Sequence, residues 1–405
     1  MTKTFFQTST PADHDIFCFS HLRWDFVFQR PQHLMTRFAS GRRLFFIEEP
    51  IFGDGPERLD VSDRGSGVYV CVPHISHNTP SESVTNIIAA KVKDLAAQSS
   101  NRYIAWFYTP MMLDLMDELE PLAVVYDCMD ELSAFRGAPP ELCEREQRLM
   151  KRADLVFTGG QSLFEAKRSK HSSVHAFPSS VDVHHFGRAR SIQQEMPDQQ
   201  AIPHPRIGYA GVIDERLDLD LLSMIAELRP EWQFVMIGPV VKISDDDLPV
   251  RANIHYLGMR SYDDLPGYLA GWDVAMMPFA LNESTRYISP TKTPEYLSAG
   301  LPVVSTPITD VVRPYGDMRL VHIAVTPAEF VSGIELAMQE NAALRNENVS
   351  EFLKENSWDN TYRAMSALIN EKVKLKDQAA AAADRRTNSF AGTDTTAAIQ
   401  GEIYV

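Results

Sequence analysis

Short apolar runs alternate with amphipathic segments along most of this 405-residue chain, and one polar stretch divides the alternation into two series. In the first series the runs are Ile16–Ser20, Leu44–Glu48, Val68–Val72, Tyr103–Tyr108, Val124–Asp127, Leu155–Thr158 and Val174–Phe177. Helical patterns at Gln32–Ala39, Ser83–Ala97, Met111–Leu119, Glu141–Arg152 and Ser162–Arg168 lie between several of them. Strands this apolar are buried on both faces, and parallel strands need crossover helices, so the pattern predicts an α/β domain with a helix-covered parallel sheet. The stretch SIQQEMPDQQAIPHP (191–205) has no apolar period and three prolines, so it predicts a linker. The second series then begins, with runs at Ile207–Ala210, Phe234–Ile237, Ile254–Leu257, Val274–Met277 and Val303–Ser305 and helices at Leu219–Leu228, Asp264–Leu269 and Pro327–Gln339. The expectation is two doubly wound domains, 1–190 and 206–355, facing across a cleft, because open α/β sheets bind ligands beyond the carboxyl ends of their strands.

A further amphipathic segment within 356–371 places Trp358, Tyr362, Met365 and Leu368 on one stripe. From 372 to 405 the composition turns to Ala, Thr, Asp and Arg, and a disordered tail is expected.

The net charge of −15 argues against a dedicated nucleic-acid binder, which needs basic surface. Cys18, Cys71, Cys128 and Cys143 have no metal-ligand spacing and read as reduced thiols. No leader-like apolar core opens the sequence and no run reaches membrane-spanning length, so a cytoplasmic protein is expected, peripheral at the inner membrane at most.

The densest chemistry lies in NESTRYISPTKTPEYLSAGLPVVST (282–306), read as loop, short helix and buried strand. Ser289, Pro290 and Thr291 make a helix start, where free amides and the positive end of the dipole suit a diphosphate. Lys292 adds a full charge there, and Glu295, a turn later, is placed to accept two hydrogen bonds from a ribose diol. Pro294 leaves two registers open: a start at Thr293-Pro294, or an irregular first turn.

Other segments join it. In GYAGVIDERLDLDLL (208–222), Ala210 and Gly211 permit close backbone approach, and Arg216 lies in the loop. Asp218 and Asp220 spell D-x-D but sit at a helix start, where acidic residues suit the dipole; no metal and no cofactor are expected. SHLRWDFVFQRPQHL (20–34) mixes Trp24, Phe26 and Phe28 with Arg23, Arg30 and His33, a combination suited to sugar or lipid-phosphate recognition or to a packed loop. VVYDCMDELSAF (124–135) ends a strand with Asp127 and Asp130. Asp130, farther out, is the candidate general base for an acceptor hydroxyl, with His21 a second candidate and Asp127 a structural hydrogen-bond acceptor.

The glutamate, small-residue, Gly, Pro-Val-Val arrangement around Glu295 resembles the donor motif of GT-B glycosyltransferases similar to family four, and W-D-x-x-x-Q-R-P-Q-H (24–33) resembles a segment of bacterial members. The resemblance covers about residues 14–370. It implies two Rossmann-like domains and transfer of a sugar from a nucleoside-diphosphate sugar, UDP-linked by expectation, to a glycan or lipid-linked acceptor. It also implies Arg216 beside Lys292 on the diphosphate, Gly238 flanking the base, Trp24 and Arg30 on the acceptor side, and a final helix crossing back to the first domain. The family's earlier glutamate is replaced here by Tyr287. Two alternatives stay open: a nucleotide-sugar epimerase of the same fold, and a non-catalytic scaffold that binds nucleotide sugar.

Overall fold

In the computed structural model, residues 14–98, 102–117 and 119–391 are described. The first domain holds β1 (Asp15–Ser20), β2 (Leu44–Glu48), β3 (Ile51–Gly53), β4 (Arg58–Asp63), β5 (Val68–Ser76), β6 (Tyr103–Phe107), β7 (Ala123–Cys128), β8 (Leu155–Thr158) and β9 (Val174–Ala176). They form one sheet in the order β3-β5-β2-β1-β6-β7-β8-β9, all parallel, with β4 added antiparallel to β5. The sequence reading missed β3 and β4, because their exposed residues form no apolar run. The second domain holds β10 (Arg206–Ala210), β11 (Gln233–Ile237), β12 (Ile254–Gly258), β13 (Val274–Met277), β14 (Val303–Ser305) and β15 (His322–Ile323), parallel in the order β12-β11-β10-β13-β14-β15.

Successive side chains of a strand point to opposite faces, and β1 shows the result. Phe17 and Phe19 enter one core with Phe45 and Phe107, while Ile16 and Cys18 enter another with Trp106. The helices that cover these faces in the first domain include α1 (Arg30–Phe38), α2 (Ser81–Ala97), α3 (Leu142–Arg152) and α4 (Gln161–Lys167). The expected helix at Met111–Leu119 is instead a 3-10 segment, Pro110–Met116, entered through Thr109, whose hydroxyl accepts the Met111 amide.

The boundary between domains lies earlier than residue 190. Val181, Phe186 and Ala189, on and beside α5 (Val183–Gly187), already pack in the second core. The stretch read as a linker is also packed. The Gln199 side chain is buried, accepting from the Trp272 indole at 2.9 Å and donating to the Tyr268 carbonyl at 3.1 Å. Polar composition concealed this, because the Gln199 amide finds both partners more than 60 residues away.

The second domain continues through α6 (Leu219–Leu228), α7 (Leu265–Leu269), α8 (Lys292–Ser298), α9 (Thr309–Val311), α10 (Pro327–Met338) and α11 (Ala342–Leu353). The last helix, α12 (Trp358–Ala391), returns to the first domain: Trp358, Met365, Ile369 and Val373 pack beside Leu34, Met35 and Phe38 of α1. Residues 372–391 therefore belong to a helix and not to a disordered tail. Their Ala and charged residues, read as low complexity, are also strong helix formers. The remainder of that expected tail, 392–405, lies outside the described residues.

Candidate functional site

Strand order reverses beside β1, which lies between β2 and β6, and beside β10, which lies between β11 and β13. Such reversals open crevices at the carboxyl ends of the strands. His21 follows β1, Gly211–Arg216 follows β10, Asp130 follows β7, and Gly238 and Lys242 follow β11. The two edges meet: Phe135 of the first domain has Arg216 Cζ at 5.7 Å and Lys242 Nζ at 4.9 Å from its ring centre. Asp130 lies within the fields of Arg216, Arg30, Asp214 and Lys242, and His21 within that of Lys242.

Helix α8 resolves the two registers left open. Thr291 is its N-cap and Lys292 its first residue, so Pro294 is third, where a helix needs no internal N–H donor. Gly211 and Gly238 have φ of +156° and +142°, which L side chains rarely adopt. A β-carbon at Gly211 would lie 2.0 Å from Lys292 Cε, and one at Gly238 would lie 1.9 Å from the Gly211 carbonyl oxygen. The space read as ligand clearance is thus occupied by the chain's own backbone and by the lysine stem.

Lys292 makes no hydrogen bond or ion pair among the described residues; its Nζ stands 5.5 Å from the centre of the Tyr209 ring. Burial lowers its pKa, with Glu295 opposing the shift. Burial likewise raises Glu295 to about 7, against the pull of Lys292 and a hydrogen bond from the Thr291 side chain. Arg216 is differently placed, gripping Asp214 through Nε and Nη2 at 3.0 and 2.7 Å while staying partly exposed. Asp214 thereby aims the guanidinium toward the cleft.

In the first domain Asp130 is half-buried, makes no hydrogen bond or ion pair through its carboxylate among the described residues, and is raised by burial to about 6. Its neighbour Glu131 is tied down by Lys167, whose Nζ is 2.7 Å from Glu131 Oε2 and 2.7 Å from Glu146 Oε1. Burial, then Lys242, lowers His21 to about 4 against a hydrogen bond to the Tyr108 backbone, so the ring is neutral at ordinary pH.

Three expected ligand residues are placed otherwise. Arg30 is buried and spent: Nη2 donates to Asp127 Oδ1 at 2.8 Å, and Nη1 to the Phe177 carbonyl at 2.8 Å, so it presents nothing to an acceptor. Asp127 is the hydrogen-bond acceptor in that pair. Trp24 packs edge-on against Phe46 of the core, while its amide donates to Glu48 at 2.7 Å. Ser289 forms an interdomain strut, its Oγ accepting the Ser179 amide at 3.3 Å and its carbonyl accepting the Ser179 hydroxyl at 2.5 Å. Tyr287, standing at the family's glutamate position, packs against the first domain's core. Asp218 caps α6 by accepting the Leu221 amide.

Sequence reasoning missed Asp214, Lys242 and Phe135. Asp214, two residues before Arg216 in a loop, carried a legible signal, the short side-chain pairing of D-E-R. Lys242 and Phe135 carried none, since only folding brings 135 beside 242. Among the described residues no group of three or more His, Cys, Asp or Glu is arranged to hold a metal ion, and no helix is long and apolar enough to cross a membrane.

Residues 204–340 match a family model described as "Glycosyl transferases group 1". Over 332 residues the chain is 24% identical to TuaH of Bacillus subtilis (strain 168), a protein named for glycosyl transfer in teichuronic acid biosynthesis, covering 68% of this chain and 81% of that one. Sucrose-phosphate synthase from Thermosynechococcus elongatus superposes with a TM-score of 0.66 at 14% identity, covering 88% of this chain and 98% of its own. An E. coli trehalose-6-phosphate structure bound with UDP-2-fluoro glucose gives 0.63 at 11% identity, covering 89% and 99%. Anabaena HepE in complex with UDP and glucose gives 0.62 at 13% identity, covering 88% and 100%. At these identities the structural likeness is one of fold. Residues 204–340 thus resemble glycosyl transferases group 1, the fold is the GT-B fold of these structures, and together the matches support a glycosyltransferase reading.

Proposed function

We propose that the chain transfers a sugar from a UDP-linked donor to a hydroxyl of a glycan or lipid-linked acceptor. The observation that carries this reading is the half-buried pair Lys292 and Glu295, a cation that makes no direct ion pair among the described residues beside a carboxylate with spare acceptor capacity, at the switch-point edge of the second sheet. A buried charge is costly unless paired, and a diphosphate would supply the missing partner. UDP is favoured because two structures of like fold carry UDP or a UDP sugar.

In this scheme Lys292 and Arg216, joined by Lys242, neutralise the charge that develops on the leaving diphosphate, so that no metal is required. Glu295 accepts from the ribose diol. Asp130, carboxylate above about pH 6, removes the proton of the attacking hydroxyl, and neutral His21 offers a second acceptor on the same edge. Phe135, standing against Arg216 and Lys242, screens the diphosphate from water.

The test is a thermal-shift series with UDP, GDP, ADP and CMP and their sugar conjugates, on wild type and Glu295→Ala. At a hundred times Kd a ligand stabilises by about 2.7 kcal/mol, enough for a clear rise in Tm. A rise with UDP that disappears in Glu295→Ala is expected. No response to any nucleotide would overturn the donor site. A response without donor turnover would leave a binding protein, and sugar interconversion with no acceptor present would leave an epimerase.

A further inference from the structure

A cavity of about 330 Å³ opens in the first domain, lined by Phe52, Val84, Ile88, Met111, Met112 and Leu115 among others. That volume lies at the lower end of the roughly 300–1,000 Å³ of small-molecule sites. Its position is set by the sheet. Glu49 and Pro50, on its rim, follow the carboxyl end of β2, and Met111 and Met112 follow that of β6. Those strands flank β1, with Ser20 paired to Glu48 and Phe19 to Phe107, so the cavity lies beside the strand tip that carries His21. Neighbouring strands are about 4.8 Å apart, which puts the cavity on the catalytic edge and not behind it.

The loop after β1 that carries His21 is held in place, because Glu48 takes the Arg23 guanidinium at 2.8 Å and the Trp24 amide at 2.7 Å. Outward, the apolar surface continues through Phe52, which is 48% exposed. No side chain of the second domain lines it.

We infer that this cavity seats the apolar portion of an amphiphilic acceptor, an alkyl or isoprenoid-like chain bonded to the sugar whose hydroxyl reaches Asp130 and His21. The inference rests on the proposed transfer reaction and names the class of its acceptor. The donor has no part to put there, because its diphosphate and ribose are held on the other domain. Both methionines are unbranched and polarizable, adapting to chains of different shape. An acceptor of this class presents its polar end to the cleft while its tail leaves past Phe52.

The probes are n-alkyl β-glucosides from butyl to octyl, kept below their micellar concentrations, with full-length protein carrying 13C-methyl methionine. Met111 and Met112 are assigned by substitution to Leu. Their methyl signals are expected to shift saturably, with Kd falling roughly three- to fourfold per added methylene. Val84→Trp, which fills the cavity from α2, should abolish the shifts while leaving the UDP response intact; Thr85→Trp fills it from the next position if that variant does not fold. Absent shifts in wild type, or shifts unchanged in the filled variants, would overturn the inference. So would sedimentation with 3:1 phosphatidylcholine–phosphatidylglycerol vesicles that Phe52→Glu abolishes, found without alkyl-glucoside shifts; it would make this surface a membrane contact. Measuring UDP on the same samples separates the readings: a missing UDP response beside intact methionine shifts would sink the donor site and not the cavity's ligand class.

Discussion

Lys167 and Lys292 are both largely withdrawn from solvent, yet they live in opposite surroundings. Lys167, on α4 of the first domain, has a fully buried side chain and touches the carboxylates of Glu131 and Glu146, with Glu146 also accepting the Tyr126 hydroxyl at 2.9 Å. Burial works against its charge, but the surrounding anions outweigh burial and raise its pKa. Lys292, on α8 of the second domain, has no such partner and its pKa falls. The same contrast separates Asp127, locked to Arg30, from Asp130, whose carboxylate is unbonded. Satisfied buried charges hold the scaffold, while in the proposed scheme the unsatisfied ones at a strand edge serve substrate. Removing the first kind should cost stability, and removing the second should cost function.

The contrast breaks most visibly at Asp130. Asp130→Asn should lower transfer by roughly 10²–10⁴-fold if the carboxylate is the base. UDP affinity should hold, and Tm should stay level or rise, because burial disfavours the charge that is lost. Steady-state kinetics beside a melting curve decide it; an unchanged rate would pass the role to His21.

Lys167→Met should destabilise by about 3–5 kcal/mol, since two carboxylates lose their buried counter-ion. Urea denaturation reads this directly. UDP affinity measured on the folded fraction should be within about twofold of wild type, and a larger loss would place Lys167 in the functional class.

Lys292→Met inverts that pattern. A lost charge-assisted contact to phosphate is worth about 1.5–3 kcal/mol, or roughly 10–150-fold in UDP affinity, with no loss of Tm. A Tm drop with affinity intact would make Lys292 a packing residue over Gly211.

The smallest expected effect is in pH. An ionised Glu295 accepts more strongly from a diol than the neutral acid does, and its pKa is raised to about 7. UDP affinity should therefore rise with pH through about 7 and level off above, by less than about tenfold in all. Calorimetry from pH 5.5 to 8.5 should show this, and Glu295→Gln should flatten it. A profile unchanged in Glu295→Gln would remove the carboxylate from the ribose site.

Much of the fold was legible because its causes are local. Buried parallel strands declare themselves as apolar runs, and the strands expected from Ile16 to Val303 all lie in the two sheets. The cap and proline of α8 act within one turn, so the segment around Lys292 and Glu295 could be located from residue types alone. Length and periodicity likewise implied two domains and a final amphipathic helix, whose return to the first domain was implied by the family resemblance.

The tertiary structure decided which charges are free. Arg30 and Asp127 stand 97 residues apart, so nothing near Arg30 announces that its guanidinium is consumed. Ser179 and Ser289 are separated by 110 positions, and their bonds turn an expected phosphate ligand into a strut between domains. Phe135 meets Arg216 and Lys242 only because two sheet edges face each other. Backbone preference is set by neighbours within a turn or a strand, whereas the fate of a charge depends on whatever folding places within a few ångströms of it. The sequence by itself therefore determined the architecture and the chemical inventory of the cleft, and three-dimensional packing selected from that inventory the groups left open to a ligand.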